Sequence, residues 1–400
     1  MAQRDGATTD ARSRNHALDN LRAVMMWLGI VLHVAVNHMQ APTLLPWKDS
    51  QTSPWADLIM MLIHAFRMPV FFMLAGFFVA RMIEQRGHGG MLRDRLRRIG
   101  LPLLVFWPIL AILIGCLALM FVHLMQRGVV GIDPGLMPAR PAGQAPIGRL
   151  HLWFMFDLLW LYGLSAMLVQ WRRYLPGLER ATQRAGGALL STWWGVLILT
   201  APLALIGTAY PHGILTITMS FAPSVPELAH YGLFYGMGWV LYTQRDALLP
   251  RLQAGWVRNA CVGLLTFIVS IAALKASSTA GGPHAYAAIV AAFFYNCTAW
   301  CWSLALIGAF TRYTRRRTAW MSYLSDSSYW VYLVHMLGTI GFGILLYTAA
   351  LGVMAKMLVN IAATTAVCLL TYQLFVRHSW IGVLLRGRTS AVAPVAAAPA

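Results

Sequence analysis

LDNLRAVMMWLGIVLHVAVNHM, residues 18–39, is long and apolar enough to cross a bilayer, and its ionisable groups are spaced with a helical period. About 20 predominantly apolar residues span the hydrocarbon core as a helix. Arg22 stands near the start, and His33 follows 11 residues later. At 100° per residue this is three turns plus about 20°, so both side chains share one face, about 16.5 Å apart along the axis. Arg at a membrane edge suits phosphate, and a buried neutral His suits proton abstraction from a hydroxyl. The pair suits a long substrate with an anionic head outside the membrane and its reacting end within. Taken singly, Arg22 also fits a topology anchor and His33 a helix-packing hydrogen-bonder.

The remaining sequence has the same character. The 400 residues are 58% hydrophobic and 11% charged, with a mean hydropathy of +0.61. Soluble domains carry roughly 25% charged residues, so a water-soluble enzyme and a disordered chain are both excluded. Sixteen Trp, 14 Tyr and 17 Phe suit two interfacial belts. A net charge of +18 would point to nucleic acid in a soluble protein. Here it reflects membrane-flanking loops, and no nucleic-acid-binding motif accompanies it. Cys116, Cys261, Cys297, Cys301 and Cys368 lie in apolar runs without a Cys-x-x-Cys pair, so neither a disulfide nor a metal site is expected.

Ten windows meet the length criterion: 18–39, 55–80, 99–124, 150–170, 190–209, 229–242, 257–274, 286–310, 320–349 and 353–376. The expected fold is all-α, a polytopic membrane bundle of about ten helices. Window 229–242 is short and contains Gly232, Gly236 and Gly238, which makes it the least regular. The loops support the number: with Arg22, Arg258 and Lys356 near window ends counted with the adjoining segments, alternate segments hold 24 Lys and Arg on one side and 6 on the other, and Arg67 lies deep in a window. By the positive-inside rule both termini are cytoplasmic. Residues 1–17 read as a polar cytoplasmic tail, 18–386 as one transmembrane domain, and 387–400 as a disordered Ala/Pro tail. The first apolar run exceeds a signal-peptide core and reads as a retained anchor. The Gly/Pro-rich loop 125–149 is too small to fold alone.

Ionisable side chains within a membrane cost roughly 2.5–3.5 kcal/mol each on insertion scales and mark functional sites. Among those inside the windows, Arg22, His33, His38, Asp57, His64, Arg67, His151, Asp157, Asp326 and His335 stand out. By depth, His33, His64, Arg67, Asp157 and His335 fall in one layer, which predicts a shared polar cavity. Arg93, Arg95, Arg97 and Arg98 form a basic cytoplasmic cluster, with Arg95 and Arg98 as candidate substrate ligands. Arg312, Arg315, Arg316 and Arg317 fit contact with anionic lipid. Glu227 reads as a solvated loop carboxylate, and His16, His88, His212 and His284 as loop residues.

At these residues the chain resembles the membrane-bound acyltransferase-3 family. Leu18-Asp19-Asn20-Leu21-Arg22 followed by His33 resembles its opening motif. The run from His64 to Phe77 resembles its FF-x-L-S-G-F segment, with Ala75 in place of Ser. Arg95, Arg98, Ile99 and Pro102 resemble its R-x-x-R-I…P motif, His151-Leu152-Trp153-Phe154 its H-L-W-F segment, and the run from Ser327 to His335 its S-Y-x-x-Y-L-x-H segment. The LAGFF and RRIGLP variants are similar to the branch containing the glucan-modifying succinyltransferase of bacterial envelopes. The resemblance implies O-acyl transfer from cytoplasmic acyl-CoA, a donor substrate rather than a bound cofactor. The acceptor would be a hydroxyl of an envelope glycan or similar molecule, and the location the bacterial inner membrane. It places His33 as general base, and Arg22, Arg95 and Arg98 on the CoA head. Asp157 is expected to orient an imidazole. Arg67, His335 or Tyr332 is expected to stabilise the oxyanion, and His64, His151, Trp153 and Tyr332 to contact substrate. A proton-coupled transporter or flippase fits the same midplane layer, although the two halves share no internal repeat.

Overall fold

A computed structural model describes residues 2–43, 45–138, 148–171, 174, 176–210, 213–277, 284–314, 316 and 318–386. The proposed tail 387–400, residues 139–147 of the loop 125–149, His212, Arg315 and Arg317 lie outside the described residues, as does the side chain of His284. Among the described residues every regular element is helical. The principal helices are α1 (Ala2–Val36), α2 (Pro54–Arg95), α3 (Leu101–Arg127), α4 (Trp153–Trp171), α5 (Pro176–Ser191) and α6 (Gly195–Gly207). They are followed by α7 (Val225–Thr243), α8 (Arg245–Ser277), α9 (His284–Tyr313), α10 (Ala319–Leu346), α11 (Val353–Thr371) and α12 (Trp380–Arg386). The polar tail is thus continuous with the first spanning helix.

Local chemistry sets the helix starts. Ser53 caps α2 by accepting from the Trp55 N–H, with Pro54 in the first turn, where a missing N–H costs nothing. Ser224 accepts from the Glu227 N–H to start α7, and Thr318 from Met321 to start α10. Gly87 breaks α2 with φ 70°, a left-handed value favourable to glycine.

Seven stretches are long and apolar enough to cross a membrane, eight when the pair α5 and α6, bent by 107°, counts as one. The stretch Pro54–Arg127 is one of the seven, yet the chain reverses inside it. The Lys48 N–H, just before α2, meets Met125 Sδ near the end of α3 at 3.2 Å. Two helices in line would put those atoms about 100 Å apart at 1.5 Å per residue. The turn lies at Gly87, and a π-helical turn, Leu96–Gly100, leads into α3. Counting the two arms of this reversal, the bent pair and α7, which falls short of that apolarity, gives ten helical segments among the described residues, against the ten windows expected.

Two windows change in detail. The irregular segment is 190–209, not 229–242: α6 holds only 13 residues and meets α5 at the bend. The supposedly short sixth window is 19 residues of helix, because α7 begins earlier, at Val225, and takes in Glu227. A carboxylate ends a hydropathy window, but here it is buried by pairing with Arg149. Arg149 and Lys356, both counted above as loop cations, are fully buried.

Candidate active site

The centre is built on one stripe of α1. Arg22, Met25, Gly29 and His33 follow at intervals of three, four and four residues, which keeps them on one face. That face meets α2, running the opposite way. Arg67 Nε donates to the Met25 carbonyl at 2.9 Å, and eleven residues further along α2 the Phe78 ring lies 5.9 Å from the Arg22 guanidinium. Arg67 packs directly on Gly29: a Cβ there would stand 2.6 Å from Arg67 Nη2 and 3.6 Å from His335 Nε2. Arg67 is 5% exposed, and among the described residues no carboxylate pairs with it. A buried cation without a counter-ion is expensive. Its remaining N–H groups are available to an oxygen that gains negative charge.

Three imidazoles gather at this guanidinium. The His33 and His335 ring centroids are 5.1 Å apart, and those of His335 and His151 are 5.2 Å apart. His335 Nδ1 lies 3.0 Å from the Val331 carbonyl and 2.9 Å from that of Tyr332, one turn back in α10. Two acceptors at Nδ1 require a proton there, so Nε2 carries the lone pair; it is buried without a partner. His151 Nε2 donates to the Leu333 carbonyl at 3.1 Å, leaving its buried Nδ1 unpartnered. The Tyr332 hydroxyl donates to the His151 carbonyl at 3.0 Å. His33 is half-buried and has no hydrogen bond among the described residues. Of the three expected oxyanion donors only Arg67 has N–H groups to spare, since His335 and Tyr332 spend theirs on backbone carbonyls.

One turn further out, a polar network closes the bundle. The Asn37 amide reaches the Thr339 carbonyl at 3.4 Å and its oxygen accepts from Trp47 Nε1 at 3.1 Å. Asn360 donates to the same carbonyl at 3.0 Å. Lys356 Nζ pairs with Asp49 at 3.2 Å and donates to the Tyr347 carbonyl at 2.8 Å. At the opposite end of the stripe from His33, Arg22 pairs with Asp19 at 3.2 Å, and Arg98 pairs with Asp94 at 3.1 Å. The Arg22–Asp19 pair is exposed, and such pairs are worth about 0–1 kcal/mol and yield readily to a phosphate. Arg95 lies 5.6 Å from the Tyr162 ring with its Nε unpartnered.

Of the expected layer, His33, Arg67 and His335 come together and His151 joins them, whereas Asp157 and His64 do not. Asp157 orients no imidazole: its carboxylate is held by Arg149, which also pairs with Glu227 at 2.8 Å. Glu227 is wholly buried rather than solvated, and accepts from the Thr218 hydroxyl at 2.8 Å. Arg149 itself donates to the Thr218 carbonyl. His64 turns to Tyr295, its Nδ1 3.0 Å from that hydroxyl. Trp153 packs on Tyr231, with centroids 5.2 Å apart, and on Phe72. The sequence reading missed Gly29, Arg149 and Lys356. The lone acidic residue of an otherwise uncharged segment was the available sign for Glu227, and a basic residue at the very edge of window 150–170 the sign for Arg149; a helical glycine four residues before His33 was the sign for Gly29.

An acyltransferase domain family matches residues 15–373. Glucans biosynthesis protein C of Shigella dysenteriae serotype 1 is 32% identical over 101 residues, 25% of this chain and 25% of that protein. The proteins of the same name from Salmonella paratyphi B and Salmonella heidelberg match with the same identity over the same shares. The matched region therefore spans about a quarter of the length of these relatives. No solved structure matches the chain.

Proposed function

The chain belongs to the acyltransferase family matched over residues 15–373, as an integral membrane enzyme, and from that premise we propose that it moves an acyl group from cytoplasmic acyl-CoA to a hydroxyl of an extracytoplasmic acceptor. The acyl group is acetyl or succinyl, and the acceptor an envelope glycan or similar molecule. The enzyme sits in the bacterial inner membrane with both termini cytoplasmic. The observation that carries this reading is the single α1 stripe, with Arg22 at one end, His33 at the other, and Arg67 and His335 packed against it. Its length of about 16.5 Å accommodates an extended pantetheine arm.

In the reaction the CoA phosphates lie on Arg22, Arg95 and Arg98. The acceptor oxygen attacks the thioester carbonyl as His33 takes the hydroxyl proton, a contribution of typically 10²–10⁴-fold. Negative charge moves to the carbonyl oxygen, where Arg67 stabilises it. The C–S bond then breaks, the new C–O bond remains, and the CoA thiolate recovers the proton from His33. His335, whose Nε2 is held as an acceptor, stands beside the imidazolium and favours it. The buried site keeps these charges from water and strengthens their interaction.

The test is CoA release by purified protein mixed with acetyl-CoA or succinyl-CoA and an envelope-glucan acceptor. His33→Ala is expected to lower turnover by about 10² or more while inserting and accumulating normally. Undiminished turnover in that variant overturns the reading. A proton-coupled transporter would release no CoA in either protein.

A further inference from the structure

His151 is carried on a turn that the rest of the molecule holds in an unfavourable shape. The residue before it, Leu150, has φ 54°, the one left-handed non-glycine among the described residues. A Cβ makes that region costly. Residues of this kind persist only where their surroundings hold them, most often at functional sites. Leu150–Leu152 is a short 3-10 turn, closed by the Leu152 N–H, which donates to the Arg149 carbonyl at 3.2 Å. Just before it, Trp107 Nε1 donates to the Gly148 carbonyl at 3.2 Å. From α10, the Tyr332 hydroxyl takes the His151 carbonyl and the Leu333 carbonyl takes its Nε2–H.

The side chain that secures this turn is Arg149. Its backbone N–H donates to the Met219 carbonyl and its Nε to the Thr218 carbonyl, both at 3.2 Å. Its Nη2 donates to both Glu227 oxygens, at 2.8 and 3.0 Å, and its Nη1 reaches Asp157, early in α4. Glu227 is fixed in turn by the Thr218 N–H and hydroxyl, at 3.2 and 2.8 Å. Burying one guanidinium with two carboxylates is weak as a stabilising device, since an apolar set of the same volume often does as well. What charged, bidentate contacts supply is direction. The direction bears on His151. With its Nε2–H committed, that ring presents Nδ1 as an acceptor, beside His335, which presents Nε2 in the same way. Two acceptor imidazoles side by side favour the positive charge that His33 gains during transfer.

We propose that Arg149 and Glu227 are positioning residues of the acyl centre: they hold the strained turn at Leu150 so that His151 stands as a second acceptor imidazole beside His335. Among the described residues neither side chain bonds to an imidazole, so both act through the backbone of the turn. Their part in turnover rests on the acyl-transfer reading; their hold on His151 does not.

The experiment uses the full-length protein in lipid nanodiscs and the variant Glu227→Gln, which leaves Arg149 with Asp157 as counter-ion. Turnover is read as CoA release from acetyl-CoA or succinyl-CoA with a soluble β-glucan as acceptor probe. Glu227→Gln should lower kcat about tenfold or more, the scale of a misplaced group near the chemistry, with KM for the acyl-CoA unchanged. The unchanged KM also shows that the variant is folded. In a His151→Ala background the same replacement should cost about twofold at most, because the group that it misplaces is gone. An equal cost in both backgrounds means a merely structural role and overturns the proposal. Independently of turnover, solid-state NMR of protein labelled with 15N-histidine reads the His151 ring, identified as the signals missing from His151→Gln. A single tautomer with the proton on Nε2 is expected in the unaltered protein and a mixture in Glu227→Gln, while the His64 signals stay. If the unaltered protein releases no CoA, the acyl-transfer reading falls and the ring signals alone decide: a His151 tautomer that is the same in Glu227→Gln overturns the hold.

Discussion

Gly29 carries more of the site than its size suggests. In a helix interior glycine is about 1 kcal/mol less favourable than alanine, so local propensity argues against it. Its presence makes sense only through Arg67, whose guanidinium occupies the space of the missing Cβ. Because that neighbour is the far end of a flexible side chain, Gly29→Ala should fold and insert with an unchanged yield. The displaced guanidinium should then lower kcat about tenfold or more, the scale of a weakened oxyanion contact. A variant with full kcat would show that Arg67 does not act from this position. His335 makes a similar point: its type and depth are plain in the sequence, but its role depends on the Val331 and Tyr332 carbonyls, which only the folded helix brings to Nδ1.

Between elements, small residues decide how closely the helices approach. Gly76 of α2 lies on the Tyr235 carbonyl of α7, and Gly238 of α7 on the Met73 carbonyl of α2; an added Cβ at either would stand 1.9 Å from the oxygen. Glycines that let helix backbones touch are a standard device within lipid. The contact also places Phe72 on Tyr231, stacked with centroids 4.5 Å apart. Gly238→Ala should lower thermal stability in detergent by roughly 1–3 kcal/mol, since the obstacle is backbone and cannot move aside. Gly115→Ala on α3, where nothing lies within 4 Å of the added atom, is the control and should lose nothing. Equal melting of all three proteins would mean that the α2–α7 approach tolerates a methyl group.

For the whole molecule the strongest constraint is the side on which each loop emerges. Ser50, in the exposed turn before α2, is expected outside; Gln85, exposed beside the Gly87 reversal, is expected inside. In intact spheroplasts a membrane-impermeant maleimide should label Ser50→Cys at once and Gln85→Cys only after permeabilisation. The opposite pattern would invert the bundle and put Arg22 on the wrong face for a cytoplasmic donor. The loop that follows α1 is also tied to the far end of the chain. Asp49 pairs with Lys356 over more than 300 residues, while Arg149 joins Asp157 and Glu227 near the N-terminal ends of α4 and α7.

Apolar length, loop charge and the interval from Arg22 to His33 depend on residues near one another in the chain. They were enough to establish the all-α membrane bundle, its approximate number of crossings and the common face of that pair. Five motifs in order were enough to indicate the family. The partners of each buried charge were not legible in the same way. Asp157, Glu227, Arg149 and Lys356 look alike to a hydropathy window whether they are solvated or paired, and the difference is made by helices far apart in sequence. Tertiary packing alone withdrew Asp157 and His64 from the imidazole group, brought His151 into it, and selected Arg67 as the donor with free N–H groups. The physical reason is that a charge or lone pair within a membrane is satisfied by whatever the neighbouring helix presents, and that neighbour is chosen by packing rather than by sequence order.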